Sequence, residues 1–287
     1  MRVEVSGFGE GTLVILPTYN EAGSLGEIVS RVRTAAPGAD LLIIDDASPD
    51  GTGELADALA AADPRVRVAH RSGKLGLGTA YVLGFHRARA GSYRFVVEMD
   101  SDGSHLPEQL PDLLSTACAG AGLVIGTRWI EGGRISGWPR HRRWISRTGT
   151  WVARVALRSQ LRDITSGYRV IDTRWLSRLD LDQISSHGYG FQVELAWTLE
   201  RLGCPIAEVP ITFIERSAGR SKMSFGIVCE ALGRVLTWGW QLRFAPGRLP
   251  RATNMSGQTG STSGQSGMSC QSGPSSTGEL TEETPSH

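Results

Sequence analysis

The sequence is poor in cysteine and contains no long uncharged apolar run. Its 287 residues include four cysteines, and none of them form a C-x-x-C pair. This spacing argues against a disulfide-scaffolded domain or a zinc knuckle and is typical of a reducing compartment. No uncharged apolar stretch reaches the roughly 18 to 20 residues that a spanning helix needs, and the N-terminus shows no secretory signal. We therefore expect a cytoplasmic protein without a spanning segment.

Charge is balanced over the chain but not along it. The net charge of +1 gives no general preference for polyanions. Residues 128–178, however, hold twelve arginines and only three acids. No nucleic-acid-binding module or aromatic platform accompanies this block, so nucleic acid is not an expected partner. Phosphate groups are the alternative ligand, because arginine binds them bidentately and stays charged.

Short apolar strands alternate with amphipathic helical patterns from the start of the chain. Strands are predicted at 12–16, 41–45, 66–69, 93–99 and 122–126, and helices at 22–35, 52–62, 77–90 and 107–119. Further strands are predicted near 167–171 and 206–214, with helices near 139–157 and 190–202. This alternation predicts an α/β fold with a mostly parallel sheet and helices on both of its faces.

Two C-terminal segments differ from the rest. Residues 225–244 predict an apolar, amphipathic helix interrupted by Glu230 and Arg234, a pattern that suits the headgroup region of a membrane. A docking surface for a membrane partner protein and an ordinary core helix are the alternatives. Residues 247–287 are rich in Ser and Gly and predict a disordered tail. We expect one catalytic domain, residues 1–244, followed by that tail.

Polar side chains follow the predicted strands at the sheet edge where parallel α/β proteins bind ligands. The fourth strand ends in Asp100 and Asp102, two carboxylates that repel each other unless a positive group lies between them. Mg²⁺ binds one or two carboxylates together with substrate phosphates, so the pattern predicts a metal–diphosphate site. Solvated loop aspartates, or a helix cap before Pro107, are the alternative. At the end of the second strand, Asp46 is predicted to bind a nucleotide and Asp50 to form a turn.

Basic residues form two clusters further along the chain. Arg128 and Arg142 belong to the first, and Arg142 shares a helix face with Ser146 if residues 139–157 are helical. Arg216 and Lys222 belong to the second. Two clusters indicate a second bound phosphate, and a solvated basic surface is the alternative.

Six motifs occur here in the order found in polyprenol-phosphate mannosyltransferases, the dolichol-phosphate mannose synthases. They are P-T-Y-N-E, D-D-A-S-P-D-G-T, M-D-S-D-G-S-H-x-P, G-T-R, D-I-T-S-G-Y-R and E-R-S-A-G-R-S-K. Residues 11–244 thus resemble inverting family 2 glycosyltransferases of the GT-A fold, and the last two motifs are the most specific. The resemblance implies metal-dependent transfer of mannose from GDP-mannose to a polyprenyl phosphate, by an enzyme peripheral to the cytoplasmic face of the membrane.

The resemblance also implies roles for individual residues. The nucleotide would be held by Pro17, Tyr19, Glu21 and Asp46. Mg²⁺ or Mn²⁺ on the GDP diphosphate would be held by Asp100 and Asp102, with Ser104 where archaeal members have a glutamine. The donor and acceptor phosphates would be held by Arg128, Arg142, Ser146 and Arg216, with Lys222 assisting. A phosphate oxygen is already anionic, so a general base is not required, although Asp102 could serve as one.

Three other interpretations stay open. The chain could use a UDP-sugar as a polyprenol-phosphate glucosyltransferase does, or it could be a non-catalytic subunit that recruits a partner. It could also depend on a separate membrane-anchoring protein. Independently of these, Trp129, Trp138 and Trp144 are expected to form a second interfacial patch near the acceptor channel, with packing in the core as the alternative.

Overall fold

A computed structural model of the chain describes residues 7–184, 189–215 and 225–244. Its strands are β1 Thr12–Thr18, β2 Asp40–Asp45, β3 Val66–His70, β4 Phe95–Glu98, β5 Leu123–Thr127, β6 Arg134–Ser136, β7 Arg169–Asp172, β8 Ile206–Pro210 and β9 Thr212–Ile214. Seven of them form one sheet in the order β3-β2-β1-β4-β7-β5-β8, while β6 and β9 form a separate two-stranded parallel sheet.

The main sheet is parallel except at one strand. Strand β7 runs antiparallel to both of its neighbours, β4 and β5, and all other pairs are parallel. The prediction of a mostly parallel sheet is therefore confirmed. Because β7 is reversed, its first residue, Arg169, lies opposite Glu98, the last residue of β4. The segment that precedes β7 is thereby brought to the edge where the parallel strands end.

Apart from a short helix at 173–176 that the sequence did not predict, the helices lie close to the predicted segments. They are α1 Leu25–Ala35, α2 Thr52–Ala62, α3 Leu77–Ala90, α4 Leu110–Cys118, α5 Arg140–Leu157, α6 Thr173–Leu176, α7 Tyr189–Arg201 and α8 Phe225–Phe244. In α1, the buried residues Leu25, Ile28, Val29 and Val32 follow the spacing of one helix face. Pro107 opens a short 3₁₀ turn, so α4 begins three residues later than predicted.

Helices cover both faces of the sheet. Successive residues of β1 point to opposite cores, with Ile15 packed in one and Leu16 in the other. The first core also contains residues of α3, α5 and α7, and the second contains residues of α1 and α4. Helix α8 contributes Val235 and Trp238 to the first core, so one side of this helix is an integral part of the domain.

The predicted tail, residues 247–287, lies outside the described residues. Within the described part of the chain, no helix has both the length and the apolar character needed to cross a membrane. Cys204 is a buried free thiol. Cys118 is disulfide-bonded, a bond that the cysteine spacing does not indicate.

Candidate active site

The two predicted metal-binding aspartates lie on a tight turn directly after β4. Asp102 accepts a hydrogen bond from the backbone N–H of Ser104, at 2.9 Å. Gly103 occupies the middle of the turn with a φ of +80°, a conformation that favours glycine. The backbone N–H of Asp100 donates to Nδ1 of His105, at 3.0 Å. The turn therefore has a defined shape, and it places both carboxylates at the same end of β4.

The turn is tied to the end of β1. The Ser101 hydroxyl donates to the carbonyl oxygen of Pro17, at 2.8 Å, and Ser24 donates to the carbonyl oxygen of Ser101, also at 2.8 Å. Tyr19 and Glu21 follow in the same loop and are partly exposed, and Nζ of Lys74 lies 4.4 Å from the centre of the Tyr19 ring. The predicted nucleotide-binding residues of strand one are thus brought beside the predicted metal site.

The loop after β2 is held by its own side chains. Asp45 accepts hydrogen bonds from the backbone and hydroxyl of Ser48, and Asp50 accepts from the backbone N–H and hydroxyl of Thr52. The predicted turn role of Asp50 is confirmed by these bonds. A second Asp50 oxygen accepts the N–H of Ala22, which joins this loop to the loop after β1.

Asp46, the predicted nucleotide-binding carboxylate, forms an ion pair with Arg71. Arg71 also donates to the hydroxyl of Thr79 at 2.6 Å and to the carbonyl oxygen of Gly76 at 3.0 Å. Both side chains of the pair are almost fully buried. The glycine-rich segment 71–80 is therefore fastened to the end of β2, and Arg71 lies against the carboxylate that the sequence assigns to the nucleotide.

The turn formed by Asp100, Ser101 and Asp102 is called the D-S-D turn from here on. Its donor atoms fit a hard divalent cation. Carboxylate oxygens are ligands that Mg²⁺ and Mn²⁺ prefer, and side-chain exposure of Asp100 reaches 31%. Among the described residues, no cluster of three or more His, Cys, Asp and Glu side chains forms a complete metal cage. A cation held here by Asp100 and Asp102 would complete its coordination with substrate oxygens and water. Ser104 is buried in the same turn.

Arg128 follows β5 and is clamped by an acid from a distant segment. Its Nε and one terminal nitrogen donate to the two oxygens of Asp163, each at 2.7 Å, and its backbone N–H also donates to this carboxylate. Asp163 is fully buried and belongs to the D-I-T-S-G-Y-R motif. Thr165 of the same motif accepts a further bond from Arg128 at 3.1 Å. The motif thus fixes the orientation of the guanidinium.

Aromatic side chains connect Arg128 to the D-S-D turn. The Phe213 ring of β9 meets the edge of His105 at 5.5 Å between ring centres and that of Trp138 at 5.4 Å. The Arg128 guanidinium lies 5.5 Å from the centre of Phe213, and the Arg142 guanidinium lies 4.2 Å from that of Trp138. The two predicted phosphate-binding arginines therefore share one aromatic wall.

Residues 140–157 form α5, so Arg142 and Ser146 lie on one helix face as predicted. Arg142 donates to Glu215 at 2.7 Å, and both side chains keep partial exposure. Arg216 and Lys222, predicted to bind phosphate, lie outside the described residues.

A buried charged pair lies directly behind the aspartates. The Nε of Arg169 is 3.8 Å from Glu98, and both residues are fully buried. Two carbonyl oxygens, those of Ile164 and Gln192, accept hydrogen bonds from Arg169 at 2.8 Å. Burial raises the pKa of Glu98 to about 7, because Arg169 offsets only part of the desolvation of its carboxylate.

The sequence-based prediction missed four residues that build this site: His105, Asp163, Tyr168 and Phe213. Burial lowers the pKa of His105 to about 4, and its ring stacks on Tyr168 with 4.9 Å between ring centres. Three of the four lie within the motifs that carry the family resemblance, which was a signal that could have found them. Phe213 lies just before the last motif and carries no local signal.

The three tryptophans predicted as an interfacial patch do not behave alike. Trp138 is buried against Arg142, and Trp129 is only partly exposed. Trp144 is 75% exposed on α5. Only Trp144 of the three is therefore available to a membrane surface.

The family model that matches the chain is described as glycosyl transferase family 2, and it matches residues 13–180. This range includes the D-S-D turn, Arg128 and Asp163. The chain belongs to glycosyl transferase family 2. The predicted family and enzyme class are therefore confirmed.

Curated relatives of this family 2 glycosyltransferase include enzymes named for polyprenyl substrates. The chain is 52% identical over 232 residues to undecaprenyl-phosphate mannosyltransferase of Micrococcus luteus, covering 81% of this chain and 95% of that protein. It is 48% identical over 242 residues to polyprenol monophosphomannose synthase of Mycolicibacterium smegmatis, covering 84% and 89%. It is 34% identical over 233 residues to dolichol-phosphate mannosyltransferase of Pyrococcus furiosus, covering 78% and 63%. The resemblance drawn from the motifs is confirmed.

Solved structures agree on the fold. Glucosyl-3-phosphoglycerate synthase from Mycobacterium tuberculosis, in complex with Mn²⁺, UDP-glucose and phosphoglyceric acid, matches with a TM-score of 0.61 at 23% identity. The match covers 81% of this chain and 80% of that one. The predicted GT-A type of α/β fold is confirmed by this likeness.

Proposed function

We propose that this chain transfers mannose from GDP-mannose to a polyprenyl monophosphate, with inversion, and forms β-linked polyprenyl-phosphate-mannose. The observation that carries the proposal is the 52% identity to undecaprenyl-phosphate mannosyltransferase over 232 residues. At this identity the pocket chemistry is expected to be retained together with the fold. The arrangement of carboxylates after β4 and arginines after β5 supports the same reaction.

The donor diphosphate would lie at the D-S-D turn. Asp100 and Asp102 would hold Mg²⁺ or Mn²⁺, with Ser104 as the proposed third contact. When bound, the cation would stabilise negative charge on the GDP leaving group. Pro17, Tyr19, Glu21 and Asp46 are the proposed nucleotide contacts, and the links between their two loops hold them in one place.

The acceptor needs positioning rather than a strong base. A phosphate monoester oxygen is anionic near neutral pH, so it can attack the anomeric carbon once it is aligned with the leaving diphosphate. Arg128, Arg142 and Ser146 are the proposed contacts that hold this phosphate against its repulsion by the donor. Arg216 and Lys222 are proposed to assist. The Asp163 clamp supports this role for Arg128, because it holds the guanidinium in a fixed orientation.

The lipid acceptor also requires access to a bilayer. Helices α5 and α8 pack together: Arg243 of α8 donates to the carbonyl oxygen of Ala156 at 3.3 Å, and Gly239 leaves room for the same carbonyl. Large apolar side chains are exposed on both helices: Trp144, Ile145, Trp151, Val155, Leu232, Leu236, Trp240 and Phe244. Exposed arginines of α5 border them, which suits an anionic lipid surface. We propose that this two-helix face places the enzyme on the cytoplasmic surface of the membrane.

Transfer of labelled sugar to a short polyprenyl phosphate tests the reaction. The purified chain is incubated with GDP-mannose or UDP-glucose, each with Mg²⁺ and with chelator. We expect a mannosyl phospholipid from GDP-mannose that is lost with chelator. Product from UDP-glucose alone would keep the mechanism and overturn the donor. Absence of product from every donor, with vesicles present, would point to a missing membrane partner protein or to a non-catalytic binding role.

A further inference from the structure

One buried side chain holds the D-S-D turn and has no part in the reaction as proposed. His105 is 1% exposed. Its Nδ1 accepts the backbone N–H of Asp100 at 3.0 Å, so the ring binds the main chain of a proposed metal ligand. Because an N–H group faces Nδ1, this nitrogen is the acceptor and the neutral ring carries its proton on Nε2.

The ring of His105 is itself fixed from two sides. It stacks on Tyr168 at 4.9 Å between ring centres, and its edge meets Phe213 at 5.5 Å. The hydroxyl of Tyr168 donates to the carbonyl oxygen of Leu106 at 3.2 Å, which holds the stacking partner in place. The acceptor atom therefore has little freedom to move away from Asp100.

The rest of the turn is closed by contacts that do not involve the histidine ring. Ser104 donates its N–H to Asp102 at 2.9 Å, and the N–H of Ile214 donates to the carbonyl oxygen of Ser104 at 3.1 Å. These bonds hold the side of the turn that contains Asp102. The bond to His105 holds the side that contains Asp100.

We propose that His105 is a positioning residue for the divalent cation: it sets the backbone of Asp100 so that the carboxylates of Asp100 and Asp102 converge. The proposal rests on the proposed function, because it assumes a cation–diphosphate site at this turn. Loss of the acceptor would leave the N–H of Asp100 without its partner, and the turn would rearrange to satisfy it. Residues that orient metal ligands in this way typically change metal affinity about 10- to 100-fold when they are replaced.

Two substitutions separate the acceptor from the bulk of the ring. His105→Phe keeps an aromatic ring against Tyr168 and Phe213 but removes the acceptor. His105→Asn is smaller but keeps an acceptor oxygen near the position of Nδ1. His105→Leu is a second apolar variant in case the phenylalanine is not accommodated. Thermal unfolding identifies which variants are folded before binding is measured.

The measurement is Mn²⁺ binding in the presence of GDP, followed by the electron paramagnetic resonance signal of free Mn²⁺. No turnover is needed. We expect the apolar variants to weaken Mn²⁺ binding about 10- to 100-fold, and His105→Asn to stay within about threefold of the unchanged chain. A purely structural role would lower the unfolding temperature of all variants and leave Mn²⁺ affinity the same, which overturns the proposal. If the chain without substitutions binds no Mn²⁺ in the presence of GDP, the proposed cation site is overturned, and this inference with it.

Discussion

The two parts of the active site are built by different kinds of contact. In the carboxylate half, residues 12–105, Asp50 and Asp102 are each held by a residue two positions further along the chain, and Asp46 pairs with Arg71, 25 positions away. In the arginine half, residues 123–215, Arg128 and Arg142 are each held by an acid 35 or more positions away. Local motifs therefore describe the first half well, whereas the second half depends on the assembled sheet.

The largest expected effect comes from removing a proposed metal ligand of the carboxylate half. Asp102→Ala should lower the transfer rate about a thousandfold, because the loss of one cation ligand removes several kcal/mol of charge stabilisation. The rate of mannosyl transfer at saturating Mg²⁺ measures it. Asp57→Ala, on the exposed face of α2, is the matched control and should leave the rate unchanged. Transfer by Asp102→Ala within tenfold of the unchanged chain would contradict a metal-binding role.

In the arginine half, the main expected effect of a substitution is instead a loss of folding stability. Asp163→Ala leaves the buried guanidinium of Arg128 without its counter-charge, and we expect the free energy of unfolding to fall by about 3 to 5 kcal/mol. Urea denaturation measures the change. The matched control is Glu215→Ala, which breaks the ion pair to Arg142. Side chains of that pair are 22% and 37% exposed, against 8% and 0% for Arg128 and Asp163, so its loss should cost under about 1 kcal/mol. Equal losses of unfolding free energy in the two variants would contradict the expected difference between the buried and the partly exposed ion pair.

Two buried groups beside the D-S-D turn should give opposite pH dependences. Burial raises the pKa of Glu98 to about 7 from 4.5, so the folded chain holds a proton that the unfolded chain releases, and stability falls as pH rises through this window. Burial lowers the pKa of His105 to about 4 from 6.5, so the unfolded chain binds the extra proton, and stability rises with pH over that window. The two effects largely cancel between pH 4.5 and pH 6.5.

Removing one of these two titrating groups should reveal the pH dependence of stability that the other one causes. Glu98→Gln should lose stability as pH falls from 6.5 to 4.5, by up to about 1.4 kcal/mol per pH unit. Chemical denaturation at several pH values, without added divalent cation, measures the slope. The double variant Glu98→Gln with His105→Asn is the control and should show a flatter profile. A slope in Glu98→Gln equal to that of the unchanged chain would show that these groups do not control the pH dependence.

The smallest expected effect lies away from the acids and arginines of the site, on the exposed apolar face formed by α5 and α8. Trp151→Ser and Trp240→Ser should each weaken binding to vesicles of anionic phospholipid about tenfold, because each removes an exposed indole that would be buried in the headgroup region. Co-sedimentation measures this. Leu75→Ser, an exposed apolar residue outside both helices, should have no effect. Unchanged vesicle binding in both tryptophan variants would favour a separate anchoring protein over direct contact with lipid.

Sequence-based prediction identified the fold and most of the carboxylate half of the site. The strand and helix positions follow from hydrophobic periodicity, and α2 and α3 agree at both ends with the predicted segments. The single strand predicted at 206–214 is in fact two, since β8 and β9 join different sheets on either side of Ile211. A continuous apolar pattern contains no information about which partner strand each part will meet.

The amino-acid sequence by itself determined the alternation of strands and helices, the D-S-D turn and the family. These features rest on short-range patterns, since periodicity, glycine conformation and turn hydrogen bonds involve neighbouring residues. Only the tertiary structure decided that Asp163 clamps Arg128 and that Phe213 lies between Arg128 and His105. Reversal of β7 brings the segment preceding it to the edge where β4 and β5 end. Burial there makes pairing of each charge with a counter-charge or hydrogen bond necessary.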